Sequence, residues 1–349
     1  MKGRVVLLDM VGDRQAAALM LDGKLIDLLI DPPEAAAPAP GTIFRAVADR
    51  PMKGQGGITL TLDAGAKGFL RQAKGISPGD RLLVQVSGVA EPHKAVPVTE
   101  RLLFKSRYAI VTPGAPGLNV SRQIKDEAER DRLLELAHAV MEHMDPGLGL
   151  ILRSACEGVD EDTIAADITA MKDLAGMVFG ENGNDPECLL DAPTSHDLAW
   201  REWAMPDPDE VIEAPGCFAD NGVLDAVDAL LGPQADLPGG AHAMIEETSA
   251  LIAVDVNTGS DTSLAAGLKA NMALARDLPR QLRLRGLAGQ IVLDVAPMPK
   301  KDRRAFEDAL RRAFRADATD TVLAGWTPLG HFELQRKRDR WPLKKVWPK

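Results

Sequence analysis

Short apolar runs broken by Gly and Asp open this chain. RVVLLDM, AAALML and LIDLLI predict two or three short strands within residues 1–30. DPPEAAAPAPG at 31–41 is a Pro/Ala-rich linker and a boundary. From Gly41 to about Arg107 come GTIFRAV, GGITLTL, GAKGFL and GDRLLVQVS, with turn signals at short intervals. Closely spaced short strands of this kind predict a small barrel. TPGAPGLN at 112–119 reads as a loop, and Ser121 as the start of a helix leading into the charged, apolar-periodic stretch 125–144. GLGLILRS is a short apolar strand ending in Arg153 and Ser154. Residues 160–178 predict a helix with Ile164, Ile168, Met171 and Leu174 on one face. The stretch 185–245 is mixed, with an amphipathic run near Trp200 and Trp203, then short strands and a GG turn at 239–240.

The pattern sharpens towards the C-terminus. ALIAVDVNTG (250–259) reads as a buried strand, and residues 264–284 as a helix with apolar positions at 264, 268, 272, 275, 278 and 282. Pro279 is expected to kink or divide it, because proline lacks the N–H that the helix interior needs. GQIVLDVAPMP (289–299) is a second strand and 301–315 a second helix. Strand, helix, strand in that order implies a crossover between parallel strands.

Composition adds constraints. The 349 residues are enough for two to four small domains, 45% are apolar and only 4% aromatic, so the cores must be built from Leu, Val, Ile, Ala and Met. No apolar run approaches the roughly 20 residues of a membrane span. The apolar stretch at the N-terminus is too short for a signal peptide. These features predict a soluble, cytoplasmic protein with no membrane partner. Cys156, Cys188 and Cys217 lie far apart, an odd and dispersed set that reads as buried thiols and predicts no structural zinc. The net charge is −10, yet residues 300–349 hold 14 Lys and Arg against 7 Asp and Glu. An acidic body with a basic C-terminal portion suits a specific polyanion site, although a solvated helix face explains the charge alone as well.

Asp255 and Asp294 each end an apolar run, ALIAV before one and QIVL before the other. Ligands gather beyond the carboxyl ends of parallel strands, and neighbouring strands lie about 5 Å apart, so two such carboxylates can share a cation. Asn257, two residues after Asp255, points to the same face and can fix a carboxylate oxygen. Hard oxygen ligands with room for water and phosphate suit magnesium, with manganese an allowed substitute. Such an ion polarises a phosphoryl oxygen and lowers the pKa of a bound water. A strand-end aspartate alone as readily caps a turn. The pair, with Asn257 and the basic helix that follows, favours a metal site. The histidines, His196, His242 and His331 among them, show no recognisable spacing.

The segments ALIAVDVNTG, NMALARDLPRQLRLRGLAGQIVLDVAPM and HFELQRKR resemble, in that order, the catalytic domain of the ribonuclease E/G family. That family carries a D-x-N-[ST] signature, an arginine-rich block ending in I-V-x-D, and a late E-x-x-R-x-R. The resemblance makes Asp255 and Asp294 the metal ligands, with Asn257 orienting Asp255, and offers Arg336 and Arg338 as residues facing RNA phosphate. Upstream, YAIVTPGAPGLNVSRQI and LILRSACEG resemble the family's sensor for a 5′-monophosphate RNA end. On that match Arg153 and Ser154 hold the phosphate, backbone around Ser106 and Ile110 completes the pocket, and Arg122 contacts RNA. GTIFRAV, GAKGFL and HKAVPVT resemble the family's OB-fold, with Phe69 and Lys94 at RNA-contacting positions.

The fold so implied is α/β and β multidomain. An RNase H-like subdomain is split between residues 1–32 and 201–245, an OB-fold-like barrel spans 33–106 and a sensor region 107–200. A DNase-I-like α/β catalytic domain spans 246–349. The implied activity is a single-strand-specific, magnesium-dependent endoribonuclease that hydrolyses RNA phosphodiesters with a magnesium-bound water, in RNA processing and decay. The alternative is an RNA-binding relative with weak or lost catalysis. The sequence departs from the family pattern at Gln123, which replaces an arginine, and at Pro297, which replaces a second aspartate. It also ends at Lys349 without the C-x-x-C zinc link. A homodimer stays open on these grounds, while a zinc-bridged one is not expected.

Overall fold

The structure is a computed structural model, and it describes residues 2–348 apart from 53, 55, 92 and 143–146. The chain forms two compact units, one of residues 34–209 and one of residues 1–33 with 210–349. Among the described residues no helix is long and apolar enough to cross a membrane.

The 34–209 unit begins with a closed five-stranded barrel. Ile43–Met52 pairs with Gly57–Thr61, which pairs with Lys67–Leu70. Lys67–Leu70 runs parallel to Val96–Thr99, which returns through Arg81–Val86 to Ile43–Met52 and closes the ring. Alternate residues, Phe44, Ala46, Ile58, Leu60, Val84 and Val86 among them, fill the interior. The closed barrel is what the closely spaced short strands predicted, and its OB-like topology is what the family resemblance implied.

A four-stranded sheet follows, ordered Gly117–Val120, Leu148–Leu152, Ala109–Pro113 and Phe104–Lys105. Helices Glu127–Met141 and Glu161–Gly180 cover it, burying Leu133, Ile164 and Ile168 against Val111, Leu150 and Leu152. Two local expectations are corrected. Gly117–Val120 is a strand rather than loop, and its chain direction continues into Ser121, whose N–H bonds the carbonyl of Leu152. The first helix therefore starts later, where the Asp126 carboxylate accepts the Glu129 N–H at 2.9 Å and caps it. Residues 143 and 144, the end of the expected helical stretch, lie outside the described residues.

In the other unit, Arg4–Val11, Arg14–Leu21 and Lys24–Ile30 form an antiparallel meander, and Glu210–Glu213 adds a strand parallel to the first. Asp9 joins this sheet to the turn of helix behind it, accepting backbone N–H groups of Gly216 at 3.1 Å and Phe218 at 2.9 Å. Burial pushes its carboxyl up, but those backbone donors outweigh burial and hold it below the ordinary carboxylate range.

The second sheet of this unit has six strands. Their order is Gln234–Asp236, His242–Glu247, Ile252–Asn257, Gly289–Asp294, Phe332–Arg336, Thr321–Trp326. Only the central pair is parallel, and helix Leu264–Arg285 makes the crossover between its strands. That helix and Arg303–Arg315 bury Leu274, Leu278, Leu282, Phe306 and Leu310 on one sheet face against Val254, Ile291 and Leu293. Pro279 does not divide the helix, which runs unbroken for 22 residues between a Ser263 N-cap and a left-handed Gly286. A proline inside a helix costs about 3 kcal/mol. The buried Leu face, reaching 0% exposure at residues 274, 278 and 282, outweighs that cost.

Candidate active site

Strand alternation sets the site. In Ile252–Asn257 the residues at 252, 254 and 256 are buried under the helices, so 253, 255 and 257 point to the opposite face. Gly289–Asp294 has the same phase, with Ile291 and Leu293 inward and Asp294 outward. Asp255 and Asp294 are direct register partners across the parallel pair, and both are exposed. Two carboxylates thus stand side by side at the carboxyl ends of adjacent strands, about 5 Å apart in backbone spacing.

Asn257 Nδ2 donates to Asp255 Oδ2 at 2.8 Å, which fixes one oxygen and leaves the other free to bind. His331 Nε2 lies 3.7 Å from Asp294 Oδ1. Among the described residues no Lys or Arg forms an ion pair with either aspartate. Adjacent carboxylates repel unless a cation stands between them. An exposed, register-matched pair with no Lys or Arg paired to it suits a hard divalent ion. Among the described residues no cluster of three or more His, Cys, Asp or Glu forms a closed cage. Two carboxylates with the remaining positions left to water and phosphate is the coordination magnesium accepts.

Asn271 carries out a positioning task that the sequence reading missed. It is 0% exposed in the crossover helix, and its amide clasps Ala296, two residues beyond Asp294. Nδ2 donates to the Ala296 carbonyl at 2.8 Å, and Oδ1 accepts the Ala296 N–H at 3.0 Å. The signal was present, an Asn one position before Met272 in an apolar-periodic helix, but its partner is visible only in three dimensions. Gly267 on the same helix lets the backbone approach, since a Cβ there would lie 2.7 Å from the Pro297 carbonyl.

Arg336 and Arg338 are not brought to the carboxylates. Arg336 is the register partner of Gly289, at the other end of the Asp294 strand and about 16 Å away by strand rise. It is 2% exposed and committed to Asp317 at 2.7 Å and Thr321 Oγ1 at 3.0 Å. Arg338 Nη2 reaches the Ala288 carbonyl at 3.4 Å, at that same far end. The basic residues that follow Asp294 in the chain are instead Lys300, Lys301 and Arg304, all exposed.

Arg153 and Ser106 do come together in the other unit. Arg153 Nη1 donates to the carbonyls of Ser106 at 2.6 Å and Arg201 at 3.1 Å, while Nη2 binds Glu202 at 2.6 Å. Ser106 Oγ donates to Asp167, which also accepts the Tyr108 N–H at 3.1 Å. Ser154 opens the short turn after Arg153, and Ile110 is half-buried opposite Ile151. Glu202 stands where an anion would meet Arg153. Burial pushes its carboxyl up, yet Arg201 and Arg153 prevail and hold it below its ordinary range. In the barrel, Phe69 is half-buried beside Gly57, and exposed Lys94 pairs with Glu91 at 2.7 Å. Arg122 is exposed in the turn after Gly117–Val120. Cys156 and Cys217 are buried free thiols and Cys188 is partly exposed.

Comparison with known proteins places the chain in a family. The model of the ribonuclease E/G family matches residues 104–214 and 202–339. Ribonuclease E of Synechocystis sp. is 30% identical over 302 residues, covering 75% of this chain and 44% of its own. Ribonuclease E of Nostoc sp. is 29% identical over 308 residues, with the same two shares. Ribonuclease G of Escherichia coli (strain K12) is 28% identical over 311 residues, 78% of this chain and 62% of its own. The chain therefore spans about half the length of these curated relatives. With the matched regions taking in the carboxylate pair, Asn257 and Arg153, the chain belongs to the ribonuclease E/G family.

Proposed function

We propose that this protein is a magnesium-dependent endoribonuclease that cuts single-stranded RNA, with Asp255 and Asp294 holding the metal. The observation that carries the reading is the register-matched, exposed carboxylate pair with no Lys or Arg paired to it among the described residues, one oxygen fixed by Asn257. Membership of a family whose relatives are named ribonucleases supports RNA as the substrate.

A divalent cation bound there supplies Lewis-acid polarisation of the scissile phosphoryl group and a water of lowered pKa. The residues of the chain do the positioning. Asn257 keeps Asp255 in one rotamer, so the ligand pair is preorganised. Asn271 fixes the backbone beyond Asp294. Lys300, Lys301 and Arg304, exposed after that strand, attract the RNA backbone. Arg153 and Ser154 take a 5′-terminal phosphate, for which a guanidinium fork and a hydroxyl are suited donors, and Glu202 yields its place on Arg153 when that phosphate enters. The OB-like barrel, with Phe69 and Lys94 on it, holds unpaired RNA. We assign the six-stranded sheet and its helices as the DNase-I-like catalytic part, and the meander with Glu210–Glu213 as the RNase H-like part.

The test is cleavage of an AU-rich RNA oligonucleotide carrying a 3′ fluorophore, with magnesium. The oligonucleotide is presented as single strand or duplex, and with a 5′-monophosphate or a 5′-hydroxyl. The single strand should be cut, the duplex spared, and the 5′-monophosphate form cut faster. A well-folded protein that cuts neither form contradicts the reading.

A further inference from the structure

The strongest unassigned feature is an exposed indole backed by a guanidinium. Trp200 lies near the end of helix Ser195–Glu202, whose buried residues are Ser195 and Ala199, and it keeps 63% of its surface exposed. The guanidinium carbon of Arg107 stands 4.0 Å from the Trp200 ring centroid and 5.8 Å from that of Tyr108. Arg107 is itself fixed. Its Nη1 donates to the Trp200 carbonyl at 3.2 Å, its Nη2 faces Asp207 at 3.5 Å, and its side chain is only 14% exposed. One indole face is thus occupied and rigidly oriented, while the residue as a whole remains open to solvent. The open part of the ring is free to take a second planar group.

The position of the stack says what it binds. Arg153 donates to the carbonyl of Ser106, the neighbour of Arg107, and to that of Arg201, the neighbour of Trp200. The arginine proposed for a terminal phosphate is therefore one residue removed from each member of the stack. Lys105, Arg107, Arg153 and Arg201 bring four cations to this surface, set among the carboxylates of Asp167, Glu202 and Asp207. Flat aromatic surface beside phosphate-binding cations is the recognition chemistry of unpaired nucleotides. A base stacks on the ring while the phosphates meet the charge. An aliphatic partner would use the indole but not the cations around it.

We propose that Trp200 is a stacking platform for the first base of single-stranded RNA, held in orientation by Arg107, while Arg153 takes the phosphate on the same nucleotide. Trp200 is a binding residue and Arg107 a positioning residue. The platform makes the 5′ site read an unpaired end as well as its phosphate, so an end stacked in a duplex is refused. This rests on the 5′-phosphate reading of Arg153.

The test is binding, measured by fluorescence anisotropy with the full chain carrying Asp294→Asn so that RNA survives. The ligands are a 5′-monophosphorylated ten-nucleotide RNA, the same RNA lacking only its first base, and the same RNA lacking only its sixth. Trp200→Ala should weaken the intact RNA and the sixth-position form roughly 5- to 150-fold, the range for loss of one base stack. It should leave the first-position form unchanged, and Trp200→Phe should recover most of the affinity. Arg107→Lys, which keeps the charge but loses the planar contact, should reproduce part of the loss on the same two ligands only. Full affinity in Trp200→Ala, or the same loss on RNA without its first base, overturns the proposal. The 5′-hydroxyl forms are measured in parallel. Equal binding of phosphate and hydroxyl ends would remove the Arg153 reading, whereas the dependence on the first base is scored on both.

Discussion

Replacing Asn271 with alanine isolates what a single buried amide does for the candidate metal site. In the structure its side chain makes two hydrogen bonds to the backbone of Ala296, at 2.8 and 3.0 Å, and both residues are buried, at 0% and 4% exposure. Alanine leaves that N–H and that carbonyl without partners in a site with no room for bulk water. Each orphaned buried group costs about 1–3 kcal/mol, so the pair should cost roughly 2–6 kcal/mol. A unit of this size shifts its melting temperature by about 2–4 °C per kcal/mol, so calorimetry should show a fall of roughly 4–24 °C. Asn271→Asp separates the two bonds. It keeps an acceptor for the Ala296 N–H but sets a buried carboxylate against the carbonyl, and should be at least as damaging as alanine. Below the lowered transition, cleavage should still fall, because the segment beyond Asp294 is no longer held. A loss under about 1 kcal/mol in Asn271→Ala would refute the idea that this clasp fixes the site.

Other substitutions test separate parts of the account. Glu202→Gln removes the carboxylate now bound to Arg153 at 2.6 Å and should strengthen binding of 5′-monophosphorylated RNA, read by anisotropy, with no gain for 5′-hydroxyl RNA. Gly286→Ala should destabilise strongly, since its Cβ would meet the Trp341 carbonyl at 2.0 Å and φ is +62°; thermal unfolding reads this directly. Arg132 holds the Glu129 carboxyl down to about 2, against the opposing push of burial. A carboxylate with a depressed folded pKa adds stability above its unfolded pKa near 4.3 and loses it as the pH falls towards 2. Glu129→Gln should therefore be less stable than the parent at pH 6, with the gap closing across that acid window in denaturant titrations. Burial pushes the Cys156 thiol up to about 12, so it should resist a thiol reagent at neutral pH until the protein unfolds, whereas partly exposed Cys188 should react first.

The strand positions of Asp255 and Asp294 were readable because each ends a short apolar run, ALIAV and QIVL. The barrel strands were readable from short apolar runs between closely spaced turn signals. Tertiary context decided the rest. Ser121 and Asp126 are both plausible helix caps on composition, and only the bond from Ser121 to Leu152 removes the first from contention. Pro279 read as a break because propensity is local, whereas the Leu face that overrides it is buried by strands distant in sequence. Arg336 and Arg338 looked adjacent to the site by family motif, yet antiparallel pairing carries them to the far end of the Asp294 strand. Asn271, Glu202 and the approach of His331 to Asp294 depend on partners 25, 49 and 37 positions away, distances no spacing rule spans.

The central claim is that Asp255 and Asp294 together hold the metal on which cleavage depends. Its most direct test is the cleavage rate of the single-stranded oligonucleotide as magnesium is removed with EDTA and then restored, for the parent, Asp255→Asn, Asp294→Asn and Asn257→Ala. The account predicts that the parent loses activity with EDTA and regains it with magnesium. Both aspartate variants should be inactive at any magnesium concentration while still binding RNA, and Asn257→Ala should need roughly 10- to 100-fold more magnesium. Cleavage that persists in EDTA, or in either aspartate variant at the parent's rate, would contradict it.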